Sequence, residues 1–161
     1  MPRRGSWLKL DVRSDHHGVG RPVVNSRALE MDMGNKPPSR RLLVLLAHGS
    51  KDPRWRLPFN ELTVALETCL GADSVRVAYM EFGPPTLADV AQEATRNDRL
   101  DVLILPFFLA AGGHLSQDIP AQVAAAKMRF PQLRIELAAP IGEHPRVKAL
   151  FQELACEYAR A

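Results

Sequence analysis

From residue 41 onward the chain alternates short, unbroken apolar runs with longer stretches in which apolar residues recur every third or fourth position. Leu42-Leu43-Val44-Leu45-Leu46-Ala47 is such a run, the pattern of a strand buried on both faces. A polar loop, His48 to Arg56, follows. Pro58 suits the first turn of a helix, and Phe59, Leu62, Leu66, Cys69 and Leu70 repeat at helical spacing until Gly71 ends it. Val75 to Met80 predicts a second strand. Pro84-Pro85 opens a second helix with Leu87, Val90, Ala91 and Ala94 on its inner face. Asp101 to Leu105 predicts a third buried strand, followed by a long loop from Pro106 to Gln117. Asp118 is placed to cap a third helix with Pro120 in its first turn, ending near Phe130-Pro131. Leu133 to Ala138 predicts a fourth strand. His144-Pro145 then leads into a helix with Val147, Leu150, Phe151, Leu154 and Tyr158 along one side.

Strict strand–helix alternation implies a parallel sheet with helices on both faces. Right-handed crossovers leave few topologies. The expected fold is α/β, an open parallel sheet of four strands in the flavodoxin-like order 2-1-3-4.

Residues 1–39 show no sustained period. They are rich in Arg, Gly, Ser, Asn and Asp and end in Lys36-Pro37-Pro38-Ser39. A disordered or weakly ordered extension is expected there, with the folded domain at 40–161. The pair His16-His17 can bind metal, but an isolated pair in such a segment is more often incidental, and Met31 and Met33 are candidate starts besides Met1. The length of 161 residues suits one domain with a real core.

The net charge of +3 hints at an acidic partner, but its distribution removes the hint. Residues 1–39 hold seven basic and four acidic side chains, leaving fourteen of each in the remainder. A nucleic-acid-binding domain is expected to carry its own basic patch, so no nucleic-acid partner is expected. No apolar run approaches the ~18 residues of a membrane span. The basic residues near Met1 lead into no apolar stretch of a signal peptide, so the expected location is cytoplasmic, away from membranes. Cys69 and Cys156 lie on expected helices outside any C-x-x-C spacing and are expected to be buried, reduced thiols.

Open parallel sheets bind ligands beyond the carboxyl ends of the strands, where the strand order reverses. Here that crevice falls between strands 1 and 3. Strand 1 runs into His48-Gly49-Ser50-Lys51, strand 2 into Glu81, and strand 3 into a loop that includes Gly112-Gly113-His114. Two histidines and a carboxylate therefore collect at one sheet edge from three separate loops. Imidazole binds mid- to late-row divalent metals, and carboxylate adds a harder ligand. A histidine pair without thiolates suits reversible binding better than a closed structural site. Each ring can also act as a base near neutral pH. Gly112 and Gly113 leave room for close approach of a flat ligand. Lys51, Arg54 and Arg56 can pair with ligand carboxylates or simply be solvated. Trp55 can stack on a planar ligand or pack over the sheet edge.

Three stretches carry a resemblance: Leu45 to Pro53 (L-L-A-H-G-S-K-D-P), Val77 to Leu87 (V-A-Y-M-E-F-G-P-P-T-L) and Pro106 to Pro120 (P-F-F-L-A-A-G-G-H-L-S-Q-D-I-P). They resemble the small, CbiX-type sirohydrochlorin chelatases of the class II chelatases, over essentially all of 41–160. The third stretch is the most specific.

The resemblance implies a half-length chelatase-like α/β unit acting as a homodimer. His48 and His114 match the two active-site histidines that hold the metal, and Glu81 matches the acidic residue after the second strand. The implied activity is ATP-independent insertion of Co²⁺, Fe²⁺ or Ni²⁺ into sirohydrochlorin, on routes to cobalamin or sirohaem. The divalent metal is a substrate, and no nucleotide is implied: the motif G-x-x-x-x-G-K-[ST] is absent.

The principal alternative is a non-catalytic module that binds or delivers a divalent metal with the same histidines. A histidine phosphotransfer enzyme needs Arg directly before His-Gly, where this chain has Ala47. The hydrolase pentapeptide G-x-S-x-G is absent. A flavodoxin-like signalling or nucleotide-binding module needs a Gly-rich phosphate loop or acidic cluster after strand 1, and His48-Gly49-Ser50 is neither.

Overall fold

The computed structural model describes residues 41–110, 112 and 115–160, except for the side chains of 115 and 116. The expectations for residues 1–39, Gly113 and His114 lie outside the described residues. Four strands, β1 (Arg41–Ala47), β2 (Val75–Tyr79), β3 (Asp101–Pro106) and β4 (Arg134–Leu137), form one parallel sheet in the order β2-β1-β3-β4. The fold class and strand order are those expected. Four helices alternate with the strands: α1 (Leu57–Leu70), α2 (Leu87–Arg96), α3 (Leu115–Arg129) and α4 (Pro145–Tyr158).

The register explains the core. Leu42, Val44 and Leu46 share one face of the sheet with Ala78, Val102, Ile104 and Ile135, and α2 and α3 cover it with Leu87, Val90, Ala91, Ala94, Ile119, Val123, Ala126 and Phe130. Burying each large aliphatic side chain there stabilises the fold by about 1.5–3 kcal/mol. The opposite face carries Leu43, Leu45, Ala47, Val75, Val77, Tyr79, Leu103 and Leu105. Helix α1 lies against β2 on that face. Leu43, Leu103 and Leu105 there are only partly covered.

Several local details differ from expectation. Thr86, not the Pro84-Pro85 pair, starts α2: its hydroxyl accepts from the Asp89 amide, and the Asp89 carboxylate accepts from the Thr86 amide. Helix α3 begins at Leu115, so Asp118 sits in its first turn rather than capping it, and Pro120 lies inside. Proline there cannot donate to the carbonyl four residues earlier, so α3 gives up one bond in its second turn.

Helix α4 forms with His144 as its N-cap, Nδ1 accepting from the Arg146 amide at 3.2 Å. Its apolar side is not buried, however: Leu150 is 51% exposed and Phe151 45%. The helix packs mainly against the short 3-10 turn Ile141–Glu143 rather than the sheet. Cys69 and Cys156 are accordingly exposed free thiols, correcting the expectation of burial. Among the described residues, no helix is long and apolar enough to cross a membrane.

Candidate active site

The loops after β1 and β2 are extensions of the sheet. Met80 donates its amide to the Ala47 carbonyl at 2.9 Å, and Glu81 donates to the His48 carbonyl at 3.0 Å. The ladder thus runs past the strands and sets His48 and Glu81 side by side at the carboxyl edge. On the other flank, Phe107 donates to the Leu46 carbonyl at 2.8 Å, tying the start of the β3 loop to β1.

Gly49 makes the tight join possible. Its φ is +98°, and a Cβ there would stand 3.0 Å from the Glu81 carbonyl carbon and still deeper inside the envelope of its oxygen. Only glycine meets both conditions. Gly142 does the same between the third and fourth loops: its amide bonds the Phe108 carbonyl at 2.9 Å, and a Cβ would overlap the Leu109 backbone. Gly112 differs. A Cβ there meets nothing within 4 Å among the described residues, so their packing does not require glycine.

His48 and Glu81 are both exposed, and the His48 imidazole makes no hydrogen bond among the described residues. Its neighbour is the Phe82 ring, 6.2 Å away between centroids and tilted by 34°. Lys51 Nζ lies 5.8 Å from the same ring centroid. Sequence reasoning did not single out Phe82; only its place between Glu81 and Gly83 in a post-strand loop pointed to it. Phe82 adopts φ +63°, a left-handed conformation costing of order 1 kcal/mol or more for a bulky residue.

The cations of the first loop are placed differently from one another. Lys51 stands with Phe82. Arg54 binds Asp52 through Nε and Nη2, the latter at 2.7 Å, and the Asp52 carboxylate caps the 3-10 turn Pro53–Arg56. This pairing with Arg54 holds the Asp52 carboxyl below the ordinary range. Arg56 lies 4.7 Å over the Tyr79 ring, at one end of a cleft of about 530 Å³ alongside β2. Arg76, also on that cleft, is matched by Glu67, Asp73 and Glu93, so it has little charge left for a ligand. Burial pushes the Tyr79 hydroxyl up, with Arg56 opposing. Trp55 packs on Phe59 at 4.8 Å and faces Tyr79 at 6.3 Å, the packing alternative of the two open for it.

Among the described residues, no three His, Cys, Asp or Glu side chains group closely enough to hold a metal. The structure thus unites His48, Glu81, Lys51 and Phe82 at one edge and sets Arg56 to the side. The fold is an open 2-1-3-4 α/β sheet with an imidazole and a carboxylate at its carboxyl edge. Residues 42–158 match the CbiX family, and the chain belongs to it.

Among its relatives, the chain is 28% identical to a sirohydrochlorin cobaltochelatase of Sulfurisphaera tokodaii, covering 74% of this chain and 94% of that one. It is 24% identical to a sirohydrochlorin ferrochelatase of Bacillus subtilis, covering 71% of this chain and 44% of that one. It therefore spans nearly all of the first relative and under half of the second. Among solved structures, a cobalamin (vitamin B12) biosynthesis CbiX protein of Marinobacter aquaeolei VT8 matches with TM-score 0.64 and 33% identity, covering 74% of this chain and 98% of that one. The cobalt complex of sirohydrochlorin chelatase SirB from Bacillus subtilis subspecies spizizenii matches in fold at TM-score 0.60 and 22% identity, covering 71% of this chain and half of that one.

Proposed function

We propose that this chain is an enzyme that inserts a divalent metal ion into sirohydrochlorin without ATP, within cobalamin or sirohaem biosynthesis in the cytoplasm. The observation that carries the reading is His48, exposed and free of hydrogen bonds among the described residues, locked beside Glu81 at the carboxyl edge of a CbiX-family sheet. An imidazole left unbonded at such an edge is available as ligand and base.

Insertion must strip water from the metal, remove two pyrrole N–H protons and bend the macrocycle. His48 and His114, the latter supplied by the loop after β3, hold the Co²⁺, Fe²⁺ or Ni²⁺ substrate and accept the pyrrole protons. Glu81 assists as a base or an added ligand. Lys51, Arg54 and Arg56 anchor the carboxylates of the macrocycle, with Lys51 the best placed beside His48. Gly112, where no packing demand explains glycine, leaves space with Gly113 for the flat substrate.

The chain acts as a homodimer. The exposed apolar side chains Leu57 and Val64 on α1, and Leu150, Phe151 and Leu154 on α4, support this, since a second copy would cover them. The folded unit is 40–161, preceded by the N-terminal extension 1–39.

The test is to mix protein, sirohydrochlorin and Co²⁺, Fe²⁺ or Ni²⁺ in parallel and follow the visible spectrum. A chelatase exceeds the uncatalysed rate with at least one metal. Metal binding with insertion at the uncatalysed rate for all three supports the delivery module instead.

A further inference from the structure

Phe82 is an exposed aromatic residue held in a conformation that aromatic residues avoid. Its side chain is 46% exposed, and its φ of +63° is one that Gly or Asn adopts far more readily. The backbone around it would be served better by glycine, as at the next position, where Gly83 has φ +114°. A structural phenylalanine repays such strain by filling the core. This one lies outside the core cluster; its neighbours are the His48 ring, 6.2 Å away between centroids, and the Lys51 ammonium, 5.8 Å from its centroid. The strain therefore accompanies a ring presented to the outside, next to the residue on which the proposed chemistry depends.

We propose that Phe82 is a substrate-binding residue: its ring is the platform against which the conjugated face of the macrocycle lies while His48 reaches the central nitrogens. The inference rests on the function proposed above. An aromatic face pairs well with a flat conjugated ligand in an offset or tilted arrangement, and the exposed Phe82 ring stands next to the His48 ring, tilted by 34° to it. Lys51, whose Nζ lies 5.8 Å from the Phe82 ring centroid, can then take a carboxylate on the rim of the same ligand.

The experiment measures binding, not turnover. Metal-free sirohydrochlorin is titrated into wild-type protein, Phe82→Gly and Phe82→Trp, with Co²⁺ binding and thermal unfolding measured on each. Phe82→Gly is expected to melt at or above the wild-type temperature, because glycine relieves the positive φ. It is expected to keep its Co²⁺ affinity and to bind sirohydrochlorin about tenfold more weakly, the order expected for one lost aromatic contact. Phe82→Trp is expected to bind within about threefold of wild type, since it restores an aromatic face. Wild-type affinity in Phe82→Gly overturns the proposal. A fall in melting temperature that accompanies the loss of binding also overturns it, since the ring would then be structural. If wild-type protein itself does not bind sirohydrochlorin, the proposed function fails and takes this inference with it, a result distinct from a failure confined to the variants.

Discussion

The close join between the first two loops can be tested by adding a single methyl group. In Gly49→Ala the new Cβ faces two penalties. The φ of +98° lies outside the conformations that L-residues favour, costing about 1–2 kcal/mol. The Cβ would also stand 3.0 Å from the Glu81 carbonyl carbon, where ordinary contact is wider, so either loop must shift. Overpacking of that kind costs about 1–3 kcal/mol. A combined loss of about 2–5 kcal/mol lowers the melting temperature of a domain this size by roughly 10–20 °C. Gly112→Ala is the control. Its Cβ meets nothing within 4 Å, so its melting temperature should stay within about 2 °C of wild type. Both variants are measured by thermal unfolding at one protein concentration. If Gly49→Ala melts like Gly112→Ala, the argument that Gly49 joins the His48 and Glu81 loops is refuted.

Two further outcomes follow from other parts of the fold. Phe151→Asp on α4 should shift the protein to monomer in analytical ultracentrifugation at micromolar concentration. Each half-exposed apolar residue has about 1 kcal/mol of burial left to gain, counted twice in a symmetric pair, and a charge opposes association; an unchanged dimer would place the interface elsewhere. Hydrogen bonds from the Thr86 amide and then its hydroxyl hold the Asp89 carboxyl below its ordinary range. Its contribution is therefore complete above the unfolded value of about 3.9 and is lost as pH falls through the folded value. The melting-temperature gap between wild type and Asp89→Asn should be constant above about pH 5 and narrow as pH falls below the unfolded value; a gap that widens on acidification would contradict the capping box as its source.

The sheet was legible in the sequence because strands inside a parallel sheet read as near-continuous apolar runs, and Leu42–Ala47 and Val102–Leu105 do, although one face is only partly covered. The loops bearing His48 and Glu81 were legible for the same reason: once the strand order is known, the residues after each strand share an edge. What could not be read depends on partners distant in sequence. Cys69, Leu150 and Phe151 have helical spacing that looks like a buried face, yet periodicity reports only which side of a helix is apolar, not whether anything covers it. The Thr86 cap was hidden by the more conspicuous Pro84-Pro85, although the spacing Thr86-x-x-Asp89 was visible. The roles of Gly49 and Gly142 depend on close approach by Glu81 and Leu109, which no local pattern announces. Phe82 became visible only with its φ and exposure in hand.

The proposed insertion turns on the His48 imidazole as metal ligand and base, and the insertion rate of His48→Ala tests that directly. His48 is exposed and makes no hydrogen bond among the described residues, so the variant should melt within about 2 °C of wild type. Its rate of metal insertion into sirohydrochlorin should fall to that of the uncatalysed reaction. A folded His48→Ala protein that inserts the metal at the wild-type rate would contradict the account.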